Sequence, residues 1–265
     1  MKIAFWSNVR GHSGVTSNLA CISVLSALSC PNERTIVFEN HKNIVNLGST
    51  YYHPQSAGCV REPMYYQTAS GLEKVLQLVE KGEELSEENL YGLTKDYLGK
   101  RLFYLPSEPV KSSDYLEYYL EREAVRTMEC LERLSDMVMV DTSAAQLASS
   151  RKILQQADLV VVNLNQNLPL LSHFFRNYSS IQEKAFYLIG NYDGKLDGKA
   201  LTGKVTPLGY VLLANPIRKE APETFSYFAK QGVEVKVISG DNPMTVSEVA
   251  KEAGIANADK YVDAT

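Results

Sequence analysis

The chain has 265 residues, 45% hydrophobic and 22% charged, a composition that suits a soluble globular protein with a full core and excludes a disordered or fibrous class. A net charge of -4 and a pI near 5.7 argue against a globally basic nucleic-acid binder, though not against a local patch. Cys21, Cys30, Cys59 and Cys130 form no paired metal spacing, the first residues make a strand and not a signal peptide, and no apolar run reaches the ~18 residues a membrane span needs, so a reduced, cytoplasmic setting is expected.

The chain opens on Lys2-Ile3-Ala4-Phe5-Trp6-Ser7, a short apolar run. It leads into a glycine-bearing, hydroxyl-rich turn from Asn8 to Ser17. A helix is predicted over 15–29, with Val15, Leu19, Ile22, Leu25 and Leu28 recurring at three- and four-residue steps and Cys30-Pro31-Asn32 stopping it. Strand, small-residue loop and helix together aim backbone N–H groups and a helix N-terminus at a phosphate. Gly11 and Gly14 permit close backbone approach, and Thr16 or Ser17 offers a hydroxyl to a magnesium ion. The bland alternative is a plain strand-to-helix turn with no ligand.

Arg34 to Phe38 reads as a second buried strand ending at Glu39-Asn40, whose acid is either solvated or part of a site. Residues 50–68, rich in Tyr, Pro, Gln and Ser, read as a loop over that site. A helix is expected from Gly71 to Lys81, and Ser86-Glu87-Glu88-Asn89 suits a helix start with acids at the positive end of the dipole. Arg101 to Pro106 is a third strand. Ser112 to Arg133 is a long helix with Tyr115, Tyr119, Val125, Met128 and Leu131 toward the core. Met137-Val138-Met139-Val140-Asp141 is a buried parallel strand that delivers a carboxylate to the C-terminal edge of the sheet, where open α/β sheets bind ligands; an acid there can also cap the next helix. Strands at 157–163 and 185–192 follow. Strands alternating with helices through about residue 192 predict a Rossmann-like, three-layer α/β fold with a mostly parallel sheet.

The loop resembles the deviant phosphate-binding loop of ParA/MinD-type ATPases, Lys-Gly-Gly-x-Gly-Lys-Thr, and implies a P-loop NTPase fold over 1–192. In register, Arg10 stands at the first lysine, Gly11 and His12 at the two glycines, Ser13 at the variable place, Gly14 at the kept glycine and Thr16 at the threonine. Val15 replaces the second lysine, which reaches the terminal phosphates. Losing a charge-assisted hydrogen bond costs roughly 1.5–3 kcal/mol, about 10- to 150-fold in affinity. The resemblance implies ATP or ADP with Mg2+ at Arg10 to Ser17, magnesium at Thr16 and Asp141, catalytic roles for Glu39 and Asp141, and adenine contact at Asn191, whose alternative is a turn residue.

The tail changes character near residue 193. A Gly/Lys/Asp-rich linker precedes strands at 208–213 and 233–238 and a helix from Met244 to Glu252 closed by Gly254, a βαβα pattern that extends the sheet or forms a small lobe. Ile238-Ser239-Gly240-Asp241-Asn242-Pro243 resembles the Thr-Gly-Asp-Asn-Pro segment of the HAD-like phosphorylation domain in P-type cation-transporting ATPases. The chain has no Asp-Lys-Thr-Gly-Thr nucleophile motif, so phosphoryl transfer by this segment, 193–265, is not expected. The resemblances imply a nucleotide-dependent dimer switch, hydrolysis-impaired because Val15 replaces the loop lysine, serving plasmid, pilus, secretion or conjugation machinery. The alternatives are a non-nucleotide scaffold of such machinery and a non-functional remnant of a cation pump.

Overall fold

In the computed structural model the described residues are 1–9, 13–43, 46–51, 71–107, 111–143, 147–190, 217, 220–238 and 243–262. Arg10, Gly11, His12 and Asn191, most of the loop expected at 50–68, the strand expected at 208–213 and the turn at Ser239–Asn242 lie outside them. The chain divides into two compact units, one of Met1–Tyr192 with Leu196–Ala200, the other of Asp193–Lys195 with Leu201–Thr265.

The first unit is an α/β layer structure, as the alternating apolar runs predict. Its elements are β1 (Lys2–Trp6), α1 (Val15–Ser29), β2 (Thr35–Glu39), α2 (Leu47–Thr50), α3 (Leu72–Glu80), α4 (Glu87–Gly92), β3 (Lys95–Asp96), β4 (Leu102–Tyr104), α5 (Ser113–Leu134), β5 (Met137–Asp141), α6 (Ala148–Gln156), β6 (Leu159–Leu164), α7 (Leu168–Asn177), α8 (Ser179–Gln182) and β7 (Ala185–Ile189). The seven strands lie in the order β3-β4-β2-β5-β1-β6-β7. Every neighbouring pair is parallel except β3 with β4, a two-residue antiparallel edge that the sequence did not signal. Every residue of β1 and β2 is buried, as a sheet covered on both faces requires. Trp6 is wholly buried and packs on Tyr178 and Phe174, and burying a side chain of this size contributes roughly 1.5–3 kcal/mol.

Local chemistry sets the helix starts. Ser86 and Ser112 accept from Asn89 and Tyr115 and so cap α4 and α5. The structure settles which face of α1 is buried and corrects part of the core face expected of α5. α1 buries Leu19, Ala20, Ser23 and Ala27, while Leu25 and Leu28 are each 53% exposed. Val15 and Ile22 of the same row pack partly buried on the core beside Leu19, so only the C-terminal end of the row faces away from it. α5 likewise buries Leu116, Leu120, Ala124, Met128 and Leu131, leaving Tyr115, Tyr119 and Val125 half-buried at the margin of that face.

The second unit contains α9 (Ala221–Lys230) and α10 (Pro243–Glu252). Gly254, with φ 79°, ends α10, and Ile255 N–H closes back on the Ala250 carbonyl at 3.0 Å. Residues 233–238, expected as a strand, pair with no strand among the described residues, and Val233, Val237 and Ile238 are exposed. An extended segment becomes a strand only when a neighbour takes up its N–H and C=O groups. All seven strands of the sheet belong to the first unit, so the described part of the tail does not extend it. No helix among the described residues is long and apolar enough to cross a membrane.

Candidate functional site

The site is assembled at the C-terminal edge of the sheet by strand register. β5 lies between β1 and β2, so Asp141 is paired with Phe5 on one side and Glu39 on the other. Both acids end their strands, and both are buried, at 2% and 3% exposure. The chain leaves β1 at Ser7 and re-enters helix at Val15, above Asp141. There the Thr16 Oγ1 hydroxyl donates to Asp141 Oδ2 at 2.5 Å.

The start of α1 has the features of an anion-facing helix end. Its N-cap is Gly14, at φ 71° and ψ 20°, a left-handed conformation that favours glycine. Among the described residues no side chain caps this helix start and no acid stands in its first turn, so its N–H groups and the positive end of the dipole are available to an anion. Ser13 is buried, Thr16 is half-buried and Ser17 is exposed. Val15 is half-buried and packs on the hydrophobic core. Asn18 holds the helix start by donating from Nδ2 to Asn163 Oδ1 at 2.6 Å. Asn163, fully buried on β6, itself donates to the carbonyls of Trp6 and Val161. Gly190, after β7, lies against the Ser13 carbonyl, which is 3.9 Å from where a Cβ would stand.

Glu39 is not the solvated strand-end acid that one reading expected. Leu47 N–H donates to its Oε1 at 2.7 Å and the Tyr104 hydroxyl donates to its Oε2 at 2.8 Å. Burial raises the carboxyl to about 7. Asp141 also pushes it up, while His41, the Leu47 amide and Tyr104 oppose the rise. His41, which the sequence reading did not single out, places Nε2 3.3 Å from Asp141 Oδ1. Burial alone would lower the imidazole, but the Asp141 contact and the nearby Glu39 carry it above its ordinary value. The signal for His41 was its place two residues beyond a strand-end acid.

Asn40 joins this edge to the segment after β5. Its Oδ1 accepts from Ser143 N–H at 2.6 Å, its Nδ2 donates to Ser150 Oγ at 2.9 Å, and its backbone N–H donates to the Asp141 carbonyl at 3.1 Å. Ser149, at the start of α6, also bonds Glu117 of α5. The structure therefore brings Thr16, Glu39 and Asp141 together at one corner and adds His41, Asn40 and Tyr104. Arg10, Gly11, His12 and Asn191 fall outside the described residues.

With this geometry in view, comparisons place the fold. A ParA-family ATPase from Chlorobium tepidum superposes with a TM-score of 0.51 at 13% identity, covering 71% of this chain and 72% of that one. The cell-division ATPase MinD of Pyrococcus furiosus superposes with a TM-score of 0.53 at 14% identity, covering 78% and 80%. The fold is thus that of ParA/MinD-type ATPases. By sequence, the chain is 46% identical over 68 residues to the calcium-transporting ATPase CtpE of Mycolicibacterium smegmatis, 26% of this chain and 9% of that protein. It is also 46% identical over 59 residues to a probable cation-transporting ATPase, exp7, of Streptococcus pneumoniae, 22% of this chain and 8% of that protein. The chain spans under a tenth of the length of these curated relatives. No family model matches it.

Proposed function

We propose that the first unit binds ATP or ADP with Mg2+ and acts as a nucleotide-dependent dimer switch in partition, pilus, secretion or conjugation machinery, with hydrolysis slowed because Val15 stands where the resembled loop has lysine. The observation that carries this reading is the 2.5 Å bond from Thr16 to Asp141. It joins the first helix turn to an acid on the neighbouring strand, with the uncapped end of α1 beside it.

The donor set fits magnesium, which takes hard oxygen ligands: the Thr16 hydroxyl and an Asp141 carboxylate oxygen converge at one point. Bound there, the ion would screen phosphate charge and polarise the terminal phosphoryl group. The chain's own residues do the rest. N–H groups at the start of α1 receive phosphate oxygens, with Gly14 allowing close approach. Arg10 supplies the positive charge that Val15 does not, and Ser13 and Ser17 border the same corner. Glu39, held up to about 7, takes a proton from water near neutral pH more readily than an ordinary carboxylate would. Asn191 follows Gly190 and is proposed at the adenine. The segment 193–265 is read as structural, since it lacks the nucleophile motif that covalent phosphoryl transfer requires.

The test is a titration of the full chain with a fluorescent ATP analogue and Mg2+, followed by light scattering with and without nucleotide. Saturable binding below about 1 mM, a free energy near 4 kcal/mol, with a mass doubling on ATP, is expected. No binding at millimolar nucleotide overturns the reading and leaves a partner-binding scaffold.

A further inference from the structure

We propose that Glu39, His41 and Asp141 form a site for a divalent transition cation that takes the His41 imidazole as a ligand, so that Zn2+ binds this corner without nucleotide. The site shares Asp141 with the magnesium position proposed above but rests on no nucleotide.

The geometry comes first. One ligand atom from each of the three side chains lies within 4.8 Å of the others. His41 Nε2 and Asp141 Oδ1 are 3.3 Å apart, close to the roughly 3–3.5 Å that separates neighbouring ligand atoms around an ion bonded at about 2.1 Å. Glu39 and Asp141 are directly paired on β2 and β5, so the sheet itself holds the two carboxylates beside each other.

The Leu47 amide and the Tyr104 hydroxyl each occupy one lone pair of Glu39 and leave the others free. Thr16 steadies Asp141 Oδ2 while Oδ1 faces the imidazole. Binding at Nε2 requires the ring proton on Nδ1: the neutral ring shifts its single proton from Nε2 to Nδ1, or the imidazolium loses its Nε2 proton to solvent. The Asn43 N–H contact to Nδ1, already long at 3.4 Å, is released when Nδ1 is protonated.

Charge and donor type select the ion. Once Glu39 is ionised, two buried carboxylates and one neutral imidazole leave net negative charge, and a divalent cation compensates it by taking the place of the protons. Imidazole nitrogen suits zinc and its neighbours, whereas magnesium prefers oxygen and keeps its water. Three protein ligands with an open position is a common zinc arrangement.

The test uses tag-free, metal-stripped full chain in calorimetric titrations with Zn2+ and with Mg2+, in the absence of nucleotide. One Zn2+ per chain is expected, with Mg2+ far weaker, and His41→Ala should weaken Zn2+ by at least about tenfold, the loss that even an outer partner of a metal site causes. Pulsed EPR of one equivalent of Cu2+, bound to the unaltered protein and displaceable by Zn2+, should show coupling to an imidazole nitrogen, a readout that needs no variant to fold. Absence of Zn2+ binding at about 0.1 mM, a free energy near 5.5 kcal/mol, would overturn the proposal. So would equal binding by a folded His41→Ala or His41→Gln protein, or Cu2+ that Zn2+ displaces but that shows no nitrogen coupling. Zinc binding together with no ATP binding would keep this inference and remove the nucleotide reading; the reverse result would do the opposite.

Discussion

The Thr16 hydroxyl and the Asp141 carboxylate meet at 2.5 Å although 125 positions separate them in the chain. The bond exists because β1 and β5 are neighbours in register, which puts the first turn of α1 over the tip of β5. It ties a helix start with open N–H groups to a buried acid, and it is the contact that a bound magnesium ion would have to share or replace. Thr16→Val should therefore weaken Mg2+-dependent nucleotide binding by about 10- to 150-fold, the equivalent of roughly 1.5–3 kcal/mol for a hydrogen bond to a charged group. Titration with labelled ATP at fixed Mg2+ reads this directly. Unchanged affinity would mean that the hydroxyl has no part in the site.

Val15 packs half-buried on the core where the resembled loop carries a phosphate-seeking lysine. Val15→Lys should tighten ATP by about 10- to 150-fold and raise phosphate release, because it restores a charge-assisted contact. The lost packing should cost on the order of 1 kcal/mol in stability. The paired measurements are nucleotide affinity and the urea midpoint. An affinity that does not move would show that residue 15 is not in the lysine place.

Glu39 has an ordinary value of 4.5 and is held at about 7 by burial, with Asp141 adding to the rise and His41, Leu47 and Tyr104 opposing it. Between pH 4.5 and pH 7 the unfolded chain has released this proton while the folded chain keeps it. Stability therefore falls as pH rises through that window, by about 3 kcal/mol at roughly 1.4 kcal/mol per pH unit. His41 acts with the same sign: its value is raised above 6.5, so its contribution is present below 6.5 and lost as pH rises past the folded value. Thermal melts from pH 4.5 to 8 should show the unliganded protein most stable at the acid end of that window. Glu39→Gln should flatten the slope, and parallel curves for the two proteins would refute the assignment.

Gly71 stands where the chain enters α3, and a Cβ built there would lie 2.0 Å from the Pro106 carbonyl oxygen. That same carbonyl accepts from Leu72 N–H at 2.8 Å, so neither segment can retreat without losing the bond. Gly71→Ala should cost about 1–3 kcal/mol through overpacking. A urea midpoint equal to that of the unaltered protein would show that the β4–α3 junction yields.

Much of the first unit was readable because its strands are continuous apolar runs ended by acids or turn residues. Ile3 to Trp6, Thr35 to Glu39 and Met137 to Asp141 all declare themselves in this way. The helix starts at Ser86 and Ser112 were equally plain, since an N-cap hydroxyl acts on an amide two or three residues away. The period that includes Leu25 and Leu28 marked the helix but not its buried face, because three- and four-residue spacing does not say which side the sheet takes. The strand expected at 233–238 misled because β character is completed only by a partner.

The amino-acid order by itself determined the alternation of strands and helices, the glycine-bearing corner after β1 and the two strand-end acids. Only the tertiary structure decided that Glu39 is buried under Tyr104, that His41 turns toward Asp141, and that Thr16 reaches the same carboxylate. The reason is physical: local backbone preference acts over a few residues, whereas these meetings depend on ladder register between β1, β2 and β5, which is set by packing across the whole sheet.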